Sequence, residues 1–352
     1  MKRISFAITA LCAFFAVGCN HIDVVMENGH DAIRFRTSIQ APVRATETTV
    51  ANLGSFNVTA LGQEDIYFSE IPVTVDATGA CTTAETLYWP AYSLGFFGWA
   101  NAGDGTVAIA TDAQKVTGFT PAASAAAQKD FIVAYNKGSH KEFGDNPVLM
   151  NFRHALSAVE IKAKNGSDDI KVTVKGVCFN NLLNKGDFTW PADVTTGEGT
   201  LPASVWSTEG AEKVGYAIEP NDATPVELTK DAQSVMFGAN EWMFVPQTFA
   251  KWDVANDKAN ANKGACIGVL VQIESNGKLI YPASGFAYTY VPVADTWQPG
   301  YKYTYTLSFC DPEGDDDHGG GYDDDGDFVI NKIKFTVSVD EWKVVDTPVV
   351  MD

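Results

Sequence analysis

The chain has 352 residues, 45% of them hydrophobic and 12% aromatic, and its 25 Lys and Arg against 44 Asp and Glu give a formal charge of -19. That apolar content excludes a disordered chain, aperiodic glycine without heptads excludes collagen and coiled coil, and the acidity argues against nucleic acid as a partner. Five histidines leave little material for metal or acid–base chemistry, while the length suffices for two cores.

The first segment, MKRISFAITALCAFFAVGC, starts with Lys2 and Arg3 and continues with an apolar run from Ile4 to Val17. The run is too short for a membrane-spanning helix and reads as the core of an export signal. It ends in Ala16-Val17-Gly18-Cys19, small residues before a cysteine, in the manner of a bacterial lipobox. Residues 1–18 are therefore expected to be removed, with Cys19 lipidated on its thiol and anchored in the outer membrane. Cys81, Cys178, Cys266 and Cys310 are widely spaced without a CxxC pair, so neither zinc nor a redox motif is indicated. Cys178 and Cys266 lie in apolar runs and read as buried thiols.

Strand signals dominate from there on. Ile33 to Ile39 alternates apolar and polar residues, the period of a half-buried strand. Further strands are expected at Ile71–Val75, Thr106–Ala110, Phe131–Tyr135, Leu156–Ala163, Ile170–Val177, Trp242–Val245, Cys266–Glu274, Tyr301–Phe309 and Ile333–Val339. Clusters of Gly, Pro, Asn and Asp separate them, as in β-sandwiches. Helix is expected only as short turns at Ala122–Lys129. The best break in the chain is the polar stretch Gly138–Pro147, which divides it into regions 45–147 and 148–352, both of sandwich size.

Residues 311–327 hold nine acids, about half the net charge. Self-repulsion and glycine content predict a solvated loop. Asp323, Asp325 and Asp327 alternate as in a calcium loop, but no glycine stands at the sixth position and Lys334 stands at the twelfth, so no metal or other cofactor is expected.

No enzyme chemistry is expected. Ala91-Tyr92-Ser93-Leu94-Gly95 approaches a nucleophile elbow, but it lies in a β context without the strand-to-helix turn that motif needs. His154 reads as a structural residue near a strand start. Tyr88, Trp89, Tyr92, Phe96, Phe97 and Trp99 crowd twelve positions; they read as core, the alternative being an exposed platform that stacks on sugar rings.

Four features together resemble the fimbrillins, the Mfa-like pilins of Bacteroidales type V pili. They are the lipobox at Cys19, the strand Ile33–Ile39 followed by Pro42-Val43-Arg44-Ala45-Thr46, the segment from Asn151 to Ile161, and a tail. The tail comprises Pro299 to Leu307 and then Ile333 to Trp342. The resemblance implies an all-β chain of two transthyretin-like β-sandwich domains in tandem. It implies cleavage by an arginine-specific protease between Arg44 and Ala45, which removes residues 19–44 with the first strand. It also implies assembly with other pilin subunits at the cell surface into an extracellular fimbria that supports adhesion to a surface ligand the sequence does not name.

Physical chemistry makes that scheme coherent. A sandwich that loses a strand keeps an apolar groove and an open hydrogen-bonding edge, which templates another strand. The segment 333–352 suits the donor role, with Ile333, Phe335, Val337 and Val339 on one face. Burying four such side chains stabilises by roughly 6–12 kcal/mol before association costs. A head-to-tail contact of this kind need not close and yields a filament. The alternatives are a surface glycan-binding lipoprotein, and a pilus tip or anchor adhesin whose tail completes its own domain.

Overall fold

The structure is a computed structural model; it describes residues 31–39, 48–191, 200–310, 321–330 and 334–341. About half of the described residues, 53%, lie in strands, and the α-helices among them are two of four residues each, Val50–Leu53 and His140–Phe143. The predicted helical turns at Ala122–Lys129 reduce to one 3-10 turn, Ala125–Ala127. Alanine favours helix, but this stretch has no apolar stripe to bury, and short helices are marginal without one.

The first domain is built on a seven-stranded sheet. Its order is Phe35–Ile39, Val148–His154, Ile132–Gly138, Leu94–Ala100, Ser55–Leu61, Ile66–Val75 and Cys81–Thr83. Neighbours are antiparallel except for the Phe35–Ile39 strand, which runs parallel to Val148–His154. Arg36 also bridges Ala80, next to the strand at the other end of the order, so the sheet curls round and Phe35–Ile39 lies between its two ends. Gly79 permits that closure: its φ is +87°, and a Cβ there would stand 2.9 Å from a methyl of Val50.

The expected division at residue 148 falls inside this sheet. Val148–His154 is hydrogen-bonded between Phe35–Ile39 and Ile132–Gly138, so the first domain continues through His154. The polar stretch before Pro147 is the connection between two adjacent strands, not a linker. A further four-stranded sheet joins the halves: Thr106–Ile109 and Gln114–Phe119 come from one side of that division, Gly186–Thr189 and Trp206–Ser207 from the other. Beneath it Phe119, Phe131, Phe188, Trp190 and Trp206 pack with Ala155 and Leu156 into a continuous apolar core.

The second domain packs two sheets face to face. The smaller has the order Gln233–Ser234, Ser157–Asn165, Tyr301–Phe309, Lys334–Glu341, with Trp242–Phe244 also paired to Ser157–Asn165. The larger centres on Ile170–Leu183, Cys266–Ser275 and Ala287–Pro292. Alternate residues of both meet around Phe179, Trp242, Phe244, Trp297 and Tyr305, the arrangement a sandwich core requires. The back of the smaller sheet buries a charged group: Lys302 Nζ lies 2.6 Å from Glu241 and 3.5 Å from Glu160, all three side chains at most 2% exposed. The fold is all-β, consistent with tandem sandwiches.

Four of the six aromatics in the crowded run are core, while Tyr88 is exposed and Tyr92 half-buried. Trp89, Phe96, Phe97 and Trp99 are all buried, and Trp89 stacks on Phe143. Ser93 precedes the strand Leu94–Ala100, so no strand-to-helix turn exists there. Cys178 and Cys266 are buried free thiols, and burial pushes each up to about 12.

Candidate strand-exchange groove

The first strand is held as the sequence period demands. Phe35, Thr37 and Ile39 point inward and are buried, whereas Arg34 and Arg36 point out. Phe35 meets the edges of Phe56 and Phe96 at ring separations of 6.4 and 5.8 Å. The ladder pairs Phe35 with Val148, Thr37 with Met150 and Ile39 with Phe152. The Ser38 hydroxyl donates to Asn151 Oδ1 at 2.9 Å, and the Arg34 guanidinium to the Asp145 carbonyl at 2.5 Å.

The segment before it is tied to a different part of the sheet. Ala32 and Ile33 pair antiparallel with Tyr88 and Leu87, and the Trp89 amide donates to the Asp31 carbonyl at 2.9 Å. Residues 31–39 thus run along one groove, lined on the inside by Val148, Met150 and Phe152, each fully buried. Without those residues the groove exposes these three side chains and one row of unpaired backbone groups.

Arg44 and Ala45 lie outside the described residues, as does Cys19. The chain is described again from Thr48, which is buried and donates its amide to Asp130 Oδ2 at 3.3 Å. The other partner of that oxygen is His154 Nδ1 at 2.6 Å, and both side chains are fully buried. The pair fixes the start of the downstream chain against the end of the Val148–His154 strand. His154 therefore has a structural role, as its sequence context suggested, but its partners were not legible because Asp130 and Thr48 are distant in sequence.

The candidate donor segment lies on the other domain. Lys334–Glu341 pairs antiparallel with Tyr301–Phe309 at the edge of the smaller sheet, setting Phe335 opposite Leu307, Val337 opposite Tyr305 and Val339 opposite Tyr303. Val337 packs partly against the core, while Thr336, Ser338, Val339 and Asp340 are exposed, Val339 at 50%. The first strand's apolar residues are at most 7% exposed, so the tail strand is the more loosely held of the two. The structure does not bring Val337 and Val339 to the groove. Ile333 and residues 342–352 lie outside the described residues.

The acidic segment is described only from Gly321. There Asp323 Oδ1 accepts the amides of Asp325 and Asp327 at 3.1 and 2.8 Å, and Asp327 pairs with Lys258 at 2.6 Å. The alternating aspartates thus close a turn and meet a lysine. Among the described residues no three His, Cys, Asp or Glu side chains gather as a metal site.

Comparison with known proteins places this architecture. A family profile described as fimbrillin-like matches residues 43–342. Among solved structures, a fimbrial protein from Bacteroides vulgatus superposes with a TM-score of 0.60 at 14% identity, covering 89% of this chain and 100% of that one. A fimbrilin from Porphyromonas gingivalis also matches, at 12% identity and a TM-score of 0.44, covering 91% of this chain and 99% of that one. No curated protein matches the chain. The profile spans most of the chain and the first superposition agrees in fold: the chain belongs to the fimbrillin-like family.

Proposed function

We propose that this protein is a structural subunit of a cell-surface fimbria. It is exported as a lipoprotein anchored through Cys19, cleaved between Arg44 and Ala45 by an arginine-specific protease, and polymerised by β-strand exchange. The observation that carries the reading is the seating of residues 31–39. One buried strand, parallel to its neighbour and N-terminal to the proposed cut, fills a groove between the ends of a sheet. Its departure removes the lipid anchor and opens the groove in one step. A strand from a second copy restores both the ladder and the buried surface. The candidate donor is the segment 333–352, whose edge strand is more exposed than the strand it replaces. Arg34 and Arg36 are poor protease sites by the same argument, because their backbone is held in a paired strand.

The test is to treat purified precursor with an arginine-specific protease. The expected result is one new N-terminus at Ala45 followed by polymers. A chain lacking 333–352 should be cleaved and stay monomeric, and polymers from it would refute the donor assignment. A second reading, a terminal subunit whose tail stays in its own domain, is favoured by the eight-residue tail ladder on Tyr301–Phe309. In that case the cleaved full chain caps polymers of other subunits instead of forming its own.

A further inference from the structure

A cleft of about 1090 Å³ opens on the first domain beside Asp31. The half-buried rings of Tyr92 and Tyr135 form part of its wall, with Tyr135 packed on Phe97 at 4.8 Å between ring centroids. Lys137 and Lys141, both exposed, stand on its rim with His140. Gln63, Ser93 and Ser139 add polar groups. Such a surface combines flat apolar faces, which pack on the C–H face of a pyranose ring, with ammonium groups that attract an anion.

The charge pattern is specific to this place. The chain as a whole carries -19 and repels anions, yet the cleft is lined by two lysines, one histidine and a single acid, Asp31. Glu142 stands outside the lining: its Oε2 accepts the amide and hydroxyl of Ser139 at 2.7 and 2.9 Å, and these bonds, with Lys137 and Lys141 nearby, hold its carboxyl below the usual range, so it offsets part of the rim charge. Asp31 lies 3.5 Å from His140 Nε2 and is carried by the segment that precedes Arg44. We propose that this cleft binds a saccharide bearing a carboxylate or sulfate, and that Asp31 weakens that binding until the first strand leaves.

The second half of the proposal rests on the maturation reading above; the first half does not. The unmasking is therefore tested in the uncleaved chain, with Asp31→Asn. Isothermal titration at low salt compares sialyllactose, lactose 3′-sulfate and lactose as probes. At least one anionic trisaccharide or sulfated disaccharide should bind, lactose should bind at least tenfold more weakly, and the two anionic arms tell carboxylate from sulfate. Asp31→Asn should tighten the anionic probe by roughly two- to fivefold, the size of one exposed charge interaction. Lys137→Met with Lys141→Met should weaken it by a similar or larger factor and flatten its salt dependence. Tyr92→Ala should weaken it at every salt concentration. These residues are exposed or half-buried, and an unchanged thermal melt verifies that each variant is folded.

Equal binding of lactose, or an anionic affinity indifferent to the lysine pair, overturns the proposal. So does no binding by any probe to the Asp31→Asn chain. If Asp31→Asn tightens binding but protease treatment leaves the first strand in place, the cleft stands and the maturation reading fails.

Discussion

Removal of residues 31–39 is the perturbation on which the account turns. Ile33, Phe35 and Ile39 are 4%, 5% and 7% exposed. At about 1.5–3 kcal/mol for each fully buried side chain, their loss costs the first domain about 5–9 kcal/mol. The backbone ladder to Val148–Phe152 is lost with them. Whole domains are stable by only about 5–15 kcal/mol, so a chain starting at Ala45 keeps a first domain near the edge of unfolding. The assay is native-state hydrogen exchange on the amides of Val148–His154, comparing the precursor with the Ala45 chain. An opening free energy lowered by about 5 kcal/mol raises the opening constant between a thousand- and ten-thousandfold. A peptide of residues 31–39 added in trans should restore protection. If the Ala45 chain protected those amides as well as the precursor does, the first strand would not be what closes the sheet, and the groove would have no need of a donor.

Other consequences follow from single contacts. Phe35→Ala should destabilise the precursor by about 3–5 kcal/mol in denaturant melts, because the ring lies between Phe56 and Phe96. Trp89→Ala should cost a similar amount, with loss of the first domain's cooperative melt; a stable variant would return that residue to the surface role the structure denies it. Lys302→Met should cost about 3–5 kcal/mol, since it leaves Glu241 and Glu160 buried without the ammonium they share, and a denaturant midpoint shifted by less than 1 kcal/mol equivalent contradicts this. Cys178 and Cys266 should resist alkylation at pH 8: with each thiol pushed up to about 12, the thiolate fraction there is of order 10⁻⁴. Mass spectrometry after iodoacetamide should show them labelled only on denaturation.

Legibility in the sequence followed burial on one face. Phe35–Ile39 was readable because one face meets a core and the other meets solvent, which imposes alternation; Lys334–Glu341 alternates in sequence as well, although Val337 packs only partly on the core and Val339 is exposed. Leu94–Ala100 shows no strand period in the sequence. It lies between Ser55–Leu61 and Ile132–Gly138 with Phe96 toward one core and Phe97 and Trp99 toward another, so both faces are apolar and the period vanishes. Val148–His154 carries a readable alternation of Val148, Met150, Phe152 and His154. The preceding glycine, asparagine and proline drew the domain boundary to the wrong side of it.

The groove was inferable only in outline. A strand expected to leave implies an edge left open, but which strand flanks it depends on parallel pairing across more than a hundred residues. The buried Lys302 cluster and the His154–Asp130 pair were invisible for the same reason, since each joins residues from separate strands. The cleft beside Asp31 needs four separate segments to come together. Of the aromatic run that suggested a sugar platform, Trp89, Tyr92 and Phe97 contribute to its lining.

The most direct test of strand exchange is to map contacts between subunits inside assembled fibres. Subunits grown with and without heavy isotopes are mixed, cleaved, polymerised and cross-linked, and mixed-isotope peptides are identified by mass spectrometry. The account predicts cross-links between residues 148–154 of one copy and 333–352 of another, with Ala45 as the N-terminus of every internal subunit. Fibres in which residues 31–39 are still present and cross-linked to 148–154 of the same copy would contradict it.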